Sequence, residues 1–382
     1  MTSLRIIYFG TYRKNYARNR LMIDRLRSQG FDVVECHATL WKGLEDREQV
    51  ARGGWLSPSF WLRAVRAYFH LIRSYFKAGD YDIMVVGYPG QADMPLARLL
   101  TWLRRKPLVW DIMMSIYLIA LERKVDDHSP LSARLIHFVE SLAIRLPDLL
   151  IVDTPEYASW YQKTYGVSED KIRLLPLGAD DRVFYPQPTN DVQPAKDRFR
   201  CVYYGTYIPN HGVQYILEAA RLLQDHPEIT FELIGRGPQL EAMQSLARDY
   251  GLSNVTFIEW LEEPELVKRV AQADICLGTF GCTPQSLMTM QHKIQEGLAM
   301  ARPLINGDSP VMRRSLQHGE HIYLCERENP QSLANAILDL QANPELRKRL
   351  AQKGYEYYVE NLSMEKLAIK LAGYMREAAV RR

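Results

Sequence analysis

The chain has 382 residues, 47% apolar and 24% charged, and at roughly 150 residues per domain this length makes two or three domains. The composition is that of an ordinary globular protein and excludes collagen-like, low-complexity and disulfide-scaffold chains. Forty-eight basic against 45 acidic side chains leave +3, too little to call for a nucleic-acid partner.

In chain order, the first expected strand is 4–9, which begins without a signal-peptide pattern. Further strands are expected at 83–86, 107–110 and 149–152, then at 200–204, 230–234, 255–258, 275–277 and 304–305. These short, almost wholly apolar runs alternate with helical spacings. Val213, Ile216, Leu217, Ala220 and Leu223 form one such set, and Leu333, Ile337 and Leu340 another. The alternation predicts an α/β chain with parallel sheets covered on both faces. No segment approaches 18 uninterrupted apolar residues, so no membrane-crossing helix is expected. Cys36, Cys201, Cys276, Cys282 and Cys325 are scattered and mostly sit in apolar runs. They read as buried thiols of a reducing, cytoplasmic compartment.

The chain also repeats itself. Residues 8–15 (YFGTYRKN) and 203–210 (YYGTYIPN) agree at five of eight positions, at an offset of 195. Each copy ends a first strand and leads toward a helix, so two doubly wound domains are expected, 1–187 and 195–362. The Pro-rich stretch 186–194 is the linker. Two facing open sheets share a ligand in the cleft beyond their strand ends.

The stretch 171–186 (KIRLLPLGADDRVFYP) resembles the strand and turn that close the first domain of family 4 glycosyltransferases. The resemblance continues through Gly235-Arg236-Gly237-Pro238, Phe257-Ile258-Glu259-Trp260, the run 293–305 (KIQEGLAMARPLI) and 343–347 (NPELR). It implies the GT-B fold, two Rossmann-like domains across a cleft, with the C-terminal helix 363–382 crossing back onto the first domain. The implied activity is retaining, metal-independent transfer of a sugar from a nucleotide sugar, UDP-linked by preference, to an acceptor hydroxyl. Such acceptors belong to cell-surface polysaccharide or exopolysaccharide synthesis, some of them lipid-linked. No cofactor beyond the nucleotide sugar is implied.

The resemblance also assigns residues. Glu296 would accept both ribose hydroxyls, a task suited to a carboxylate. The family's second glutamate falls on Met288, and helix N-terminal amides fed by the loop 281–286 would hold the phosphates instead. Lys293 would neutralise phosphate. The turn Gly205-Thr206-Tyr207 and His211 replaces the usual arginine and lysine clamp, with Tyr207 as hydroxyl donor and His211 either clamp or helix cap. Arg236 joins the donor set. In the first domain, Gly10-Thr11 would let substrate approach the backbone, and Asp111 either faces the transferred sugar or caps a helix.

Other signals are set aside. Asp80 and Asp82 read as a turn, Gly235-Arg236-Gly237 lacks a dinucleotide fingerprint, and the histidines show no zinc spacing. Residues 1–190 hold 26 basic and 21 acidic side chains, or +5, against 22 and 24, or −2, in 191–382. Within the basic half, 55–77 interleaves aromatic residues with Arg63, Arg66, Arg73 and Lys77. It either lies on an anionic bilayer or packs as a core helix through Phe60, Phe69 and Phe76. A sugar-nucleotide epimerase and a non-catalytic nucleotide-binding scaffold are the rival readings.

Overall fold

The computed structural model describes residues 4–40, 54–187 and 198–381. They fall into two compact units, Met1–Leu177 with Leu367–Arg382, and Gly178–Lys366. The division comes before the expected boundary at 187. Residues just after Leu177 pack into the second unit: Ala179 and Phe184 join a core with Val202 and Tyr204, and Asp181 accepts from the Tyr358 hydroxyl. Most of the expected linker, 188–194, lies outside the described residues.

The first unit contains β1 (Arg5–Gly10), α1 (Ala17–Ser28), β2 (Asp32–His37), α2 (Pro58–Ala78), β3 (Ile83–Val86) and α3 (Met94–Arg104). It continues through β4 (Leu108–Met113), α4 (Pro130–Ala143), β5 (Leu149–Val152), α5 (Pro155–Tyr165) and β6 (Ile172–Leu174). The strands form one parallel sheet in the order β2-β1-β3-β4-β5-β6. Its inner strands are almost wholly apolar because both faces are covered: Ile6, Ile7, Tyr8 and Phe9 are all buried.

Right-handed crossovers put the α1 connection on one face and those after β2 on the other. On the first face, Met22 and Leu26 of α1 meet Ile6, Tyr8, Val85 and Ile151. On the second face, Phe9 stands edge-on to Tyr75 of α2, and Arg104 of α3 lies 4.9 Å over the same Tyr75 ring. Trp55, just ahead of α2, donates to Ser132 of α4 at 3.0 Å. The inward side of α2 is Ala64, Ala67, Leu71 and Tyr75. Phe69 and Phe76 are exposed, so the core role considered for them is not theirs.

The second unit contains β7 (Phe199–Tyr204), α6 (Val213–Leu222), β8 (Ile229–Ile234), α7 (Leu240–Asp249), β9 (Val255–Ile258) and α8 (Glu263–Ala271). There follow β10 (Ile275–Leu277), α9 (Pro284–Met288), α10 (His292–Ala299), β11 (Leu304–Gly307), β12 (Tyr323–Cys325), α11 (Pro330–Ala342) and α12 (Pro344–Asn361). This sheet is also parallel, ordered β12-β11-β10-β7-β8-β9. Alternation along β7 sends Cys201 and Tyr203 into a core with α6 and α11. Val202 and Tyr204 enter the opposite core with α8, α10 and α12.

The last helix, α13 (Met364–Val380), sends Leu367, Leu371 and Met375 into the first unit's core beside α1. Four of the five cysteines are buried; Cys282 is exposed. Among the described residues no helix is long and apolar enough to cross a membrane.

Candidate functional site: the strand ends of the second unit

Ligands of open α/β sheets bind at the carboxyl ends of the strands, and two glycine turns meet there in the second unit. Gly205 (φ 143°) follows β7 and Gly235 (φ 141°) follows β8, both in backbone conformations that disfavour a side chain. A Cβ on Gly235 would lie 2.0 Å from the Gly205 carbonyl oxygen, and one on Gly237 would lie 2.6 Å from the Tyr207 nitrogen. The turns are also bonded together, since Tyr207 N donates to Arg236 O at 3.1 Å and Gln239 N to Tyr207 O at 3.1 Å. This interlocking leaves no room for side chains at the glycine positions.

The space beside Gly205 belongs to Lys293. A Cβ on Gly205 would sit 2.9 Å from Lys293 Nζ. The ammonium group lies 3.8 Å from the Tyr203 ring centroid, on a side chain only 5% exposed. It has no hydrogen-bond partner. Burial drives its pKa well below the usual lysine value, with Glu296 pulling the other way. Lys293 stands in the first turn of α10, where helix N-terminal amides add positive potential. Other unsatisfied polar atoms gather at the same turn: both amide atoms of buried Gln291, and His292 Nε2. Buried polar groups are normally paired, so this concentration makes the turn the candidate site.

His211 lies beside the turn, its Nδ1 2.9 Å from the Tyr203 hydroxyl. Burial first, and Lys293 second, push its pKa well below the usual imidazole value. That lowering favours the neutral imidazole, which can still take part in hydrogen bonds. Its side chain does not cap α6, whose first flanking residue is Gly212. Glu296 is buried one helical turn after His292, whose Nδ1 is 3.1 Å from Glu296 Oε1. The Tyr204 hydroxyl beneath donates to the Lys293 carbonyl at 3.1 Å.

Three expectations are corrected by the geometry. Tyr207 is fully buried and its hydroxyl donates to Leu233 O at 3.0 Å, fastening the turn to β8 instead of offering a phosphate donor. The loop 281–286 spends polar groups on its own turn and on the neighbouring Arg327 and Glu328. Thr283 and Ser286 form a capping box on the short α9, and Cys282 N donates to Glu328 Oε1 at 3.1 Å.

Asp111, in the first unit, neither faces a ligand nor caps a helix. It is fully buried and bidentate with Arg18, whose Nη2 is 2.8 Å from Oδ1 and whose Nε is 2.9 Å from Oδ2. The cap of the short helix that follows, Ile116–Glu122, is Ser115. Arg236 is exposed, its guanidinium 5.3 Å over the Trp260 ring at the ends of β8 and β9.

The structure thus brings together Gly205, Thr206, His211, Lys293 and Glu296, and holds Tyr207 as a staple. Gln291 and His292 were missed; their signal was their place at the start of the helix that carries Lys293 and Glu296. In the first unit the missed residue is Asp93. It accepts from Thr11 N at 2.8 Å, from Thr11 Oγ1 at 3.1 Å and from Tyr68 OH at 2.9 Å.

Both units have relatives among known proteins. Residues 14–178 match the glycosyl transferase 4-like domain, and residues 188–357 match glycosyl transferases group 1. The chain belongs to the group 1 glycosyltransferase family. Among its relatives is the MMP alpha-(1->4)-mannosyltransferase of Mycolicibacterium hassiacum, 22% identical over 66% of this chain and 60% of that one. Another is the alpha-D-kanosaminyltransferase of Streptomyces kanamyceticus, 26% identical over 47% and 46%. The chain spans about half the length of the curated relatives it matches.

Among solved structures, the sucrose-phosphate synthase of Thermosynechococcus elongatus superposes with a TM-score of 0.73 at 16% identity, covering 98% of both chains. Anabaena HepE in complex with UDP and glucose gives 0.71 at 14%, covering 98% of this chain and 100% of that one. This glycosyltransferase therefore has the GT-B fold, with two Rossmann-like units.

Proposed function

We propose that the chain transfers a sugar from a nucleotide sugar, UDP-linked by preference, to a hydroxyl of a saccharide or lipid-linked saccharide, with retention at the anomeric carbon. The observation that carries this reading is the unpartnered Lys293 ammonium, buried against Gly205 at the strand ends. A diphosphate lying over the Gly205-Thr206 turn meets Lys293 and the first turn of α10 together, and Glu296 lies further along that helix for the ribose. Transfer by front-face substitution then needs no enzyme nucleophile. The leaving phosphate oxygen takes the acceptor proton as the glycosidic bond breaks, and the protein contributes positioning and charge compensation. With Lys293 and the α10 amides supplying that charge, the reading is metal-independent. The uridine preference draws support from Anabaena HepE, solved with UDP-glucose. The place of action is the cytoplasmic side of the membrane, with a peripheral contact through 55–77.

The test is titration calorimetry with UDP, GDP and ADP, then sugar transfer from the preferred donor. The expected result is selective binding of one nucleoside diphosphate. Lys293→Met should weaken it by about 1.5–3 kcal/mol, the contribution of hydrogen bonds to a charged group. Equal affinity in wild type and variant removes Lys293 from the site and this reading with it.

A further inference from the structure

The first unit carries an apolar surface that its own core does not explain. On α2, Leu62, Val65, Phe69 and Phe76 follow helical spacing on the outward side, and Phe69 is 70% exposed. On α3, Leu99, Trp102 and Leu103 do the same, with Trp102 also 70% exposed. On α4 the outward stripe is Leu131, Leu135, Phe138 and Leu142, with Phe138 58% exposed. Single exposed apolar residues need no account, but stripes on neighbouring helices do.

These helices are neighbours in one layer. The crossovers β2 to β3, β3 to β4 and β4 to β5 all advance in the same direction across the sheet, so all three lie on one face. Contacts confirm the adjacency. Tyr68 of α2 donates to Asp93, immediately before α3, at 2.9 Å, and Gln91, also ahead of α3, donates to Glu140 of α4 at 3.1 Å.

The exposed charge on these three helices is mostly basic. Neither α2 nor α3 contains an aspartate or glutamate. The sole carboxylate of α4, Glu140, is buried and accepts from Ile116 N, Tyr165 OH and Gln91. Exposed on the same helices, or one or two residues past their ends, are Arg66, Arg73, Lys77, Arg105, Arg134 and Arg145, against one exposed carboxylate, Asp80. A second copy of the chain on this face would set arginine against arginine. An anionic lipid surface meets both features at once, since apolar side chains enter the headgroup boundary while arginines and lysines meet lipid phosphate.

We infer that the outward sides of α2, α3 and α4 together form one docking face for an anionic bilayer. This rests on the peripheral contact proposed for 55–77 and extends it to two further helices.

The experiment is co-sedimentation of the full chain with vesicles of phosphatidylglycerol and phosphatidylcholine, or of phosphatidylcholine alone, with melting curves alongside. Wild type should sediment with the anionic vesicles at about 50 mM salt and be released as salt rises, and should ignore the neutral ones. Three variants divide the face: Arg66→Gln/Arg73→Gln/Lys77→Gln on α2, Trp102→Ser/Leu103→Ser on α3, and Leu135→Ser/Phe138→Ser on α4. Each should lower vesicle affinity about tenfold or more, as expected for the loss of about 1.4 kcal/mol or more, with the melting temperature unchanged. Release by the α2 variant alone overturns the three-helix face and leaves the 55–77 contact standing. Wild type remaining in the supernatant at low salt overturns both. A dimer in solution that the same variants dissociate shows that a second copy covers the face, which also overturns the inference.

Discussion

The repeated motif places the same glycine turn in both units and closes it with opposite charges. Gly10 (φ 138°) and Gly205 (φ 143°) each end the first strand of a sheet. A Cβ on Gly10 would lie 2.7 Å from Asp93 Oδ2, and a Cβ on Gly205 would lie 2.9 Å from Lys293 Nζ. Beyond that the two turns part. Asp93 receives hydrogen bonds from Thr11 N, Thr11 Oγ1 and the Tyr68 hydroxyl, whereas the Lys293 ammonium makes none. A buried charge that is fully bonded holds its own turn in place; one without partners is suited to a ligand. The two copies of the motif thus separate a turn bonded into its own unit from the turn proposed to bind.

The comparison breaks most readily at the first unit's buried ions. Arg18→Leu leaves the Asp111 carboxylate buried without its partner and should cost about 3–5 kcal/mol of stability. Arg18→Leu/Asp111→Leu should recover only part of that loss, because buried Asp153, 3.8 Å from Arg18 Nη1, and the Leu175 carbonyl still lose the guanidinium. Denaturant unfolding measures both. If Asp111 met the sugar, the double variant would fold but lose all transfer, an outcome at odds with a purely structural pair.

Asp93 and Lys293 form the next contrast. Asp93→Ala strands Thr11 N and the Tyr68 hydroxyl, and should cost about 2–3 kcal/mol. Burial pushes the Asp93 carboxyl up to about 6. A carboxyl raised on folding holds its proton more tightly in the native state, so its contribution is full below the unfolded value near about 4 and is lost as pH rises through the folded value. Asp93→Asn should remove that segment of the stability profile. Lys293→Met should leave the melting temperature unchanged or higher, since it deletes a buried charge with no partner. A melting temperature that falls as far as in Asp93→Ala would make both residues structural.

Glu296 tests how far the binding turn extends along α10. Glu296→Ala should weaken nucleotide binding by about 1.5–3 kcal/mol in a folded protein. The 2′-deoxyribose nucleotide, which keeps only the 3′ hydroxyl, should lose less affinity than the ribonucleotide on this substitution if the lost contact is to the ribose. A variant that still prefers the ribonucleotide excludes Glu296 from that contact.

Much of the fold was legible in the chain because parallel strands buried on both faces are plain apolar runs. All the inner strands were visible, and the three that the apolar runs missed, β2, β6 and β12, are edge strands. Edges interrupt the apolar run, as Glu35 and His37 do in β2. Helix α1 was hidden for a different reason: its buried face includes Arg18 and Arg25, which bond to Asp111, Leu175 O and Leu177 O. A periodicity argument counts arginine as outward. The roles of Asp111 and Tyr207 were misjudged because a strand-end or turn residue gives no sign of which way it points. Lys293 was legible as a basic residue, but its approach to Gly205, from far along the chain, was not.

The smallest effect, and the sharpest test of the binding turn, is a proton. In the free protein Lys293 is held well below its usual pKa, chiefly by burial. A diphosphate beside Nζ favours the charged form and raises that value. The complex therefore holds more protons than its separated components, and affinity falls as pH rises between the two values. His211, whose own pKa is lowered by burial first and by Lys293 second, is removed as a contributor by measuring binding in a His211→Asn background. Calorimetry above about pH 7.5, where the phosphate with its second pKa near about 6 is already ionised, isolates the lysine. Measured in two buffers of different ionisation heat, binding should show uptake of a fraction of one proton. Lys293→Arg, charged at every accessible pH, should bind without uptake and without the pH slope. Wild type binding with no proton uptake would mean that Lys293 does not meet the phosphates, and the contrast between the two turns would lose its functional half.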